Sequence, residues 1–243
     1  MVVVREPKRR ARAALGVLTL GLLLTYTLGG CAAAVAPPGR IMLYGDSLCS
    51  QFGEFYPAMQ REFPGAEIIA DGFIGAATWD RIPILRSVNS TLQTTVFCSN
   101  PKPVLIIVLM GVNNFAHDRA VPPEWGWSDI EAVRTAAHRC DVPIFIGTPL
   151  PYARTFGTEK QLCSHKWSNW YVEQLRTLIL RLSQPEVIDF AEAIPWDHPE
   201  DYLLDCLHPN EEGARRMAAL VRATICDRHP RREFTALCTA TPN

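Results

Sequence analysis

Three residue types that could form an acyl-transfer site stand far apart in this chain. Ser47 lies in Arg40–Ser50, RIMLYGDSLCS, where a short apolar run stops at Gly45-Asp46 and delivers the hydroxyl into a turn. Gly45 allows a backbone path that a side chain would obstruct. A serine hydroxyl becomes a strong nucleophile when a neighbouring base takes its proton. His208, in Asp205-Cys206-Leu207-His208-Pro209-Asn210, is the candidate base. An Asp three residues before a His can turn back to hold one ring nitrogen while the other faces the nucleophile. The tetrahedral oxyanion would need hydrogen-bond donors. The glycine-rich stretch Asp71–Thr78 could expose a backbone N–H, and Gly111-Val112-Asn113-Asn114 could point a side-chain amide over a strand end. Taken singly, each segment has a plainer structural alternative: a Ser cap, a glycine turn, an Asn cap and a surface His.

Those side chains need a scaffold that brings them together. Continuous apolar runs predict strands at Arg40–Tyr44, Glu67–Ala70, Val104–Met110, Val142–Gly147 and Glu186–Phe190. Runs of this kind, apolar on both faces, suit a sheet covered on both sides. Helices are expected between them. Ser50–Phe63 is one, with Pro57 placed to kink or divide it, and Ser47 is then expected at its start, where helix N–H groups favour negative charge. Trp79–Leu92 is a weaker one, interrupted by Pro83. Ser128-Asp129-Ile130-Glu131 reads as a capping box opening a helix to Arg139. Tyr171, Val172, Leu175, Leu178, Ile179 and Leu182 form a stripe at helical spacing, and Glu211–Ile225 is a last helix. Alternation of this kind predicts a parallel α/β sheet with right-handed crossovers. Functional loops then lie beyond the carboxyl ends of the strands, which is where the candidate segments fall.

In this order and placement the segments resemble the SGNH hydrolase family, also called GDSL esterases and lipases. Gly45-Asp46-Ser47-Leu48 matches its first block, and Gly75 its second-block glycine, with Gly72 as the alternative. Gly111-Val112-Asn113 matches Gly-x-Asn of the third block, and Asp205 with His208 matches the fifth. Asn114 stands where the family usually has Asp. The resemblance implies a flavodoxin-like three-layer α/β/α sandwich with a five-stranded parallel sheet. It also implies a Ser47–His208–Asp205 triad, an oxyanion hole from Ser47, Gly75 and Asn113, and neither cofactor nor metal. The expected activity is ester hydrolysis on an acylated small molecule, glycan or lipid, foremost O-acyl groups of an envelope glycan or glycolipid. A lipase, a thioesterase or an O-acyltransferase would use the same residues. A non-catalytic binding module of the same fold is a further alternative, opposed by the intact Ser, Gly, Asn and His.

Other side chains fall on the same loops. Phe115, Trp125, Trp127, Tyr152, Phe156, Trp167 and Trp196 follow the third, fourth and fifth strands and are expected to crowd the nucleophile's face, as loop packing or as stacking surfaces. His198 competes with His208 for the base but lacks the small-residue helix entry that Gly213 and Ala214 provide after His208.

The ends of the chain bear on location. A basic segment precedes the apolar run Ala13–Leu28, the pattern of an export signal. Leu28-Gly29-Gly30-Cys31 resembles a bacterial lipobox, making Cys31 a candidate lipidated terminus. Cleavage after Ala34-Val35-Ala36, or retention of the run as an uncleaved anchor, are the alternatives. All three place the body outside the cytoplasmic membrane, secreted or attached to it by the N-terminus. The expected division is a signal over 1–30, a tether over 31–39, the hydrolase domain over 40–226 and a tail over 227–243 packed on it. Beyond residue 30, 19 basic and 24 acidic residues remain, and an acidic body without a basic stripe argues against nucleic-acid binding.

Seven cysteines follow Cys31, none in C-x-x-C spacing, so disulfides are expected rather than a metal site. Cys98 and Cys140 each precede a strand and fall at the same pole of a parallel sheet. Cys163 and Cys206 each follow a strand and fall at the other. Cys226 ends the last helix, and Cys238 lies in a tail short enough to fold back on it. The expected pairs are Cys98–Cys140, Cys163–Cys206 and Cys226–Cys238, leaving Cys49 out, with Cys49–Cys206 as the rival.

Overall fold

The computed structural model describes residues 39–78, 97–114, 122–156, 161–163 and 169–240. The signal segment, Cys31, the tether as far as residue 38, the helix expected over Trp79–Leu92, and Phe115 and Trp167 lie outside the described residues. Five parallel strands form the sheet: β1 (Gly39–Gly45), β2 (Ala66–Gly72), β3 (Leu105–Leu109), β4 (Ile144–Gly147) and, after a two-stranded antiparallel ribbon of β5 (Thr155–Phe156) and β6 (Gln161–Leu162), β7 (Val187–Ile188). Their order is β2-β1-β3-β4-β7. The chain moves one way from β1 to β2 and the other way from β3 onward. Loops leaving β1 and β3 therefore part at a topological switch point, where open α/β sheets place their sites.

Right-handed crossovers put the helices on both faces. α1 (Phe55–Glu62) packs on α4 (Glu211–Ala223), and α2 (Pro123–Arg139) packs on α3 (Asn169–Leu182). All five residues of β3 are fully buried, which is why that strand reads as an unbroken apolar run. Each buried Leu, Ile or Phe is worth about 1.5–3 kcal/mol, so the central strands supply much of the driving force. In α3 the expected stripe is seen in the burial of Tyr171, Val172, Leu175 and Ile179.

Several boundaries differ from the sequence expectations. α1 begins at Phe55, not Ser50, which puts Pro57 in its first turn, where its missing N–H breaks no intrahelical bond. Ser47 therefore belongs to a separate 3-10 turn, Ser47–Cys49, and not to the head of a helix. α2 begins at Pro123, so Ser128 and Glu131 lie inside it and cap nothing. Proline suits a first helical position, and Glu131 instead pairs with Arg134 one turn on, at 2.8 Å. β2 runs on to Gly72, and β7 shrinks to two residues because it pairs only with β4.

Three disulfides join Cys98 to Cys140, Cys163 to Cys206 and Cys226 to Cys238, with Cα separations of 5.0, 5.8 and 5.6 Å. Cys49 is in none of them; its buried thiol donates to the Leu109 carbonyl at 3.6 Å. The last segment is part of the core. Phe234 and Leu237 of the tail, the latter in α5 (Thr235–Thr239), are buried. The Arg222 guanidinium donates to the carbonyls of Glu62, Cys238 and Ala240, tying α1, α4 and the tail together. Among the described residues, no helix is long and apolar enough to cross a membrane.

Candidate active site

The turn that carries Ser47 is built by Asp46. Its backbone is extended and its carboxylate accepts from the Leu48 N–H at 3.1 Å, while Cys49 N–H and Ser50 N–H donate back to the Asp46 and Ser47 carbonyls. This folds residues 47–49 into one tight turn directly off the end of β1. Gly72, level with Gly45 on the neighbouring strand, packs beneath that turn. A Cβ there would sit 2.4 Å from the Asp46 carbonyl and from the Ser50 nitrogen, so no side chain fits. That close packing is the role of Gly72. Gly75 differs: its φ is +73°, a left-handed conformation that favours glycine, and space around its Cα is open.

The histidine loop is equally local in construction. Asp205 Oδ1 accepts from the N–H groups of Leu207 and His208, both at 2.7 Å, and Oδ2 lies 2.9 Å from His208 Nδ1. His208 Nε2 lies 2.8 Å from Ser47 Oγ, across 161 residues of sequence. Burial works against ionisation of Asp205, yet the three hydrogen bonds from His208 and Leu207 outweigh it and hold its pKa at about 2. The hydrogen bond to Asp205 raises the His208 pKa; burial opposes this, and the charges of Asp205 and Asp46 add to it. An ionised Asp205 can only accept, so the imidazole proton sits on Nδ1 and donates to it, which leaves Nε2 as the acceptor for the Ser47 hydroxyl. The loop is anchored from behind by the Cys163–Cys206 bridge and by the Ala153 N–H, which donates to the Cys206 carbonyl at 3.0 Å.

Asn113 is nearly buried, and its amide donates to the Ala76 carbonyl at 3.1 Å, leaving the second N–H of that group for another acceptor. Asn114 is fully buried and joins the two loops. Its Oδ1 accepts from the Thr78 N–H at 2.8 Å, and its Nδ2 donates to Thr78 Oγ1 at 2.8 Å and to the Tyr171 hydroxyl at 3.0 Å. The Thr78 hydroxyl donates in turn to Asp129 at 2.8 Å. Burial pushes the Tyr171 pKa up to about 12, so its hydroxyl stays neutral within this network. The network positions the glycine loop against the Asn113 turn, and the Tyr152 hydroxyl donates to the Val112 carbonyl to brace that turn from the other side. Tyr152, expected on this face as packing or stacking, packs; the roles of Thr78, Asp129 and Tyr171 are the part of this architecture that sequence reasoning missed. The only signal was the doubled Asn at 113 and 114, since Thr78 and Asp129 lie 51 residues apart.

Of the other candidates, His198 pairs with Asp197 at 2.7 Å and packs beside Tyr202. Trp127 and Trp196 pack partly buried against the core, and Trp125 is exposed. Ser47, Asp205 and His208 open onto a cleft of about 250 Å³ that Phe52, Ile74 and Leu204 also line. Among the described residues there is no group of three or more His, Cys, Asp or Glu side chains placed to hold a metal ion.

With that geometry in view, the chain was compared with known proteins. The model of the GDSL-like lipase/acylhydrolase family matches residues 43–216. No curated protein matches the sequence at a significant level. Among solved structures, a GDSL-like lipase from Bacteroides thetaiotaomicron is similar, with TM-score 0.58, 16% identity and coverage of 84% of this chain and 94% of its own. A lipase/acylhydrolase from Enterococcus faecalis aligns with TM-score 0.58 at 18% identity, covering 76% of this chain and 95% of its own. An acetyl xylan esterase aligns with TM-score 0.57 at 16% identity, covering 76% of this chain and 99% of its own. At these identities the likeness speaks to the fold.

Proposed function

The chain belongs to the GDSL-like lipase/acylhydrolase family, an ester-hydrolysing serine hydrolase, and from that premise we propose an exported esterase that removes short O-acyl groups from an envelope glycan or glycolipid. The observation that carries the catalytic part is the continuous hydrogen-bond chain from Asp205 through His208 to Ser47 at the mouth of an open cleft.

In this reading the Ser47 hydroxyl attacks the ester carbonyl carbon while His208 Nε2 takes its proton. Asp205 holds the tautomer and stabilises the imidazolium that results. The carbonyl oxygen gains negative charge and is met by the Ser47 N–H, the Gly75 N–H and the remaining N–H of the Asn113 amide. Losing one such donor typically costs a hundredfold or more in rate. The imidazolium then protonates the leaving alkoxide. Water, deprotonated by the same imidazole, releases the acid from Ser47. Asp46, buried beside the nucleophile, adds negative potential that favours the imidazolium.

A cleft of about 250 Å³ suits a short acyl group better than a long chain that must be enclosed. Export accords with the N-terminal apolar run and with three disulfides, and Cys31 is the proposed lipidation site. The test is a p-nitrophenyl ester series from acetate to palmitate, with mass mapping of a fluorophosphonate adduct. The expected result is fastest turnover of acetate and butyrate, and label on Ser47. Label elsewhere, or no turnover of any ester, would overturn the catalytic assignment; fastest turnover of palmitate would make the enzyme a lipase.

A further inference from the structure

Exposed apolar side chains are sorted by pole. Eight large ones are exposed among the described residues; six lie on loops or first helical turns that follow the carboxyl end of a sheet strand, and a seventh, Leu162, lies in the β5–β6 ribbon that follows β4. The exception, Leu182, ends α3 at the opposite pole. Scattered exposed apolar residues need no explanation, but segregation to the catalytic face does. Phe52, Ile74 and Leu204 line the cleft itself. The two largest, Trp125 and Trp170, are not among its lining residues and are 64% and 61% exposed.

Trp125 lies in the first turn of α2 and Trp170 in the first turn of α3. Their neighbours in sequence, Gly126 and Tyr171, hold these two turns together: a Cβ on Gly126 would meet the Tyr171 hydroxyl at 2.8 Å. The same Tyr171 hydroxyl accepts from Asn114, next to the proposed oxyanion donor. The two indoles thus stand on adjacent, rigidly joined helix ends that are continuous with the catalytic loops.

Resting on the esterase reading above, we propose that Trp125 and Trp170 form a subsite, separate from the cleft, that stacks on the pyranose rings of an uncharged polysaccharide and so selects polymeric over small esters. One further observation favours a polysaccharide over an anionic lipid surface. The body beyond residue 30 carries 24 acidic against 19 basic residues, and among the described residues Glu54, Glu124, Glu200 and Asp201 are exposed at this pole beside Arg154. Anionic lipid attracts basic surfaces, and the described part of this one is not basic.

The experiment compares the wild type with Trp125→Ala/Trp170→Ala. One arm is affinity electrophoresis through gels containing deacetylated xylan or N-acetylglucosamine oligomers, which needs no catalysis. The other is kinetics on acetylated xylan and on p-nitrophenyl acetate. The wild type should be retarded by at least one polymer and the double variant not. KM on acetylated xylan should rise about tenfold, the scale expected of two aromatic contacts, with kcat and p-nitrophenyl acetate turnover unchanged. An unretarded wild type overturns the subsite, as does an unchanged polymer KM. Trp-dependent binding to phosphatidylglycerol vesicles, or a Trp-dependent dimer in gel filtration, would also overturn it. A wild type that is retarded but hydrolyses no ester would instead count against the esterase reading alone.

Discussion

The two poles of one sheet are built on different terms. At the amino pole, a cavity of about 610 Å³ lies among Lys102, His138, Asp141, Glu186, Arg231 and Glu233. The cleft at the carboxyl pole is less than half that size. Five of the larger cavity's charged or titratable groups, Lys102, His138, Asp141, Glu186 and Arg231, are paired within the protein. Glu186 lies 3.2 Å from His138, 3.8 Å from Arg134 and 3.7 Å from Arg231, and Lys102 donates to the carbonyls of Cys140 and Asp141. At the carboxyl pole, Ser47, Asp205 and His208 form one hydrogen-bonded chain that ends on a hydroxyl open to the cleft. Between these two, it is not size but the convergence of groups with a defined direction of proton transfer that distinguishes the candidate site.

The sharpest way to break that comparison is to remove one group from each pole. Ser47→Ala should lower kcat on p-nitrophenyl acetate on the order of 10⁴-fold or more, with an unchanged circular dichroism spectrum. Glu186→Gln should leave kcat within about twofold, since a charge pair remote from the reaction does not touch its transition state. Comparable losses from both would mean that the contrast between the poles is misread.

Asp205→Asn comes next and has a signature in pH. His208 must be neutral to accept a proton, so kcat/KM should fall as pH drops through its raised pKa, above the ordinary 6.5. The Asn variant loses the largest cause of that rise. Its acid limb should therefore move to lower pH, with kcat down about 10²–10⁴-fold. A pH–rate profile measures both, and a limb that stays in place would remove Asp205 from its orienting role.

Disulfides offer a controlled version of the same contrast. The Cys98–Cys140 and Cys163–Cys206 bridges close loops of 42 and 43 residues, so unfolded-chain entropy predicts nearly the same stability loss for each, about 4 kcal/mol. Only the second holds the His208 loop. Cys163→Ser/Cys206→Ser should lower Tm and also kcat/KM, by about tenfold. Cys98→Ser/Cys140→Ser should lower Tm alone. Thermal melts beside esterase kinetics at 15 °C would separate the two, and equal activities would show that the bridge only stabilises.

The smallest effect expected is at Asn114. The related family usually has Asp here, but this chain already buries the Asp129 carboxylate on the same Thr78 hydroxyl. Asn114→Asp would bury a second carboxylate nearby and should cost about 1–3 kcal/mol, read in urea melts. Asn114→Asp/Asp129→Asn should recover most of it. No recovery would mean that repulsion between the carboxylates is not the cause.

The sequence by itself determined what depends on near neighbours or on strand order. Asp205 reaches His208 because three residues of turn suffice, the pairing of four cysteines followed from which end of a strand each one occupies, and that of Cys226 with Cys238 from a short tail after the last helix. The fold class was legible because a doubly covered parallel sheet needs unbroken apolar strands. Element starts were less so: Pro57 and Pro123 could be read as breaks or as first-turn residues, and Ser128-x-x-Glu131 as a cap, until packing chose. Only the tertiary structure decided the rest. It separated Gly72, which packs under the Ser47 turn, from Gly75, whose backbone is left-handed. It also assembled Asn114, Thr78, Asp129 and Tyr171 from four elements and left Trp125 and Trp170 exposed at joined helix ends. The physical reason is range. A turn or a strand register is set by residues a few positions apart, whereas a buried hydrogen-bond network depends on side chains that meet only after the layers have packed.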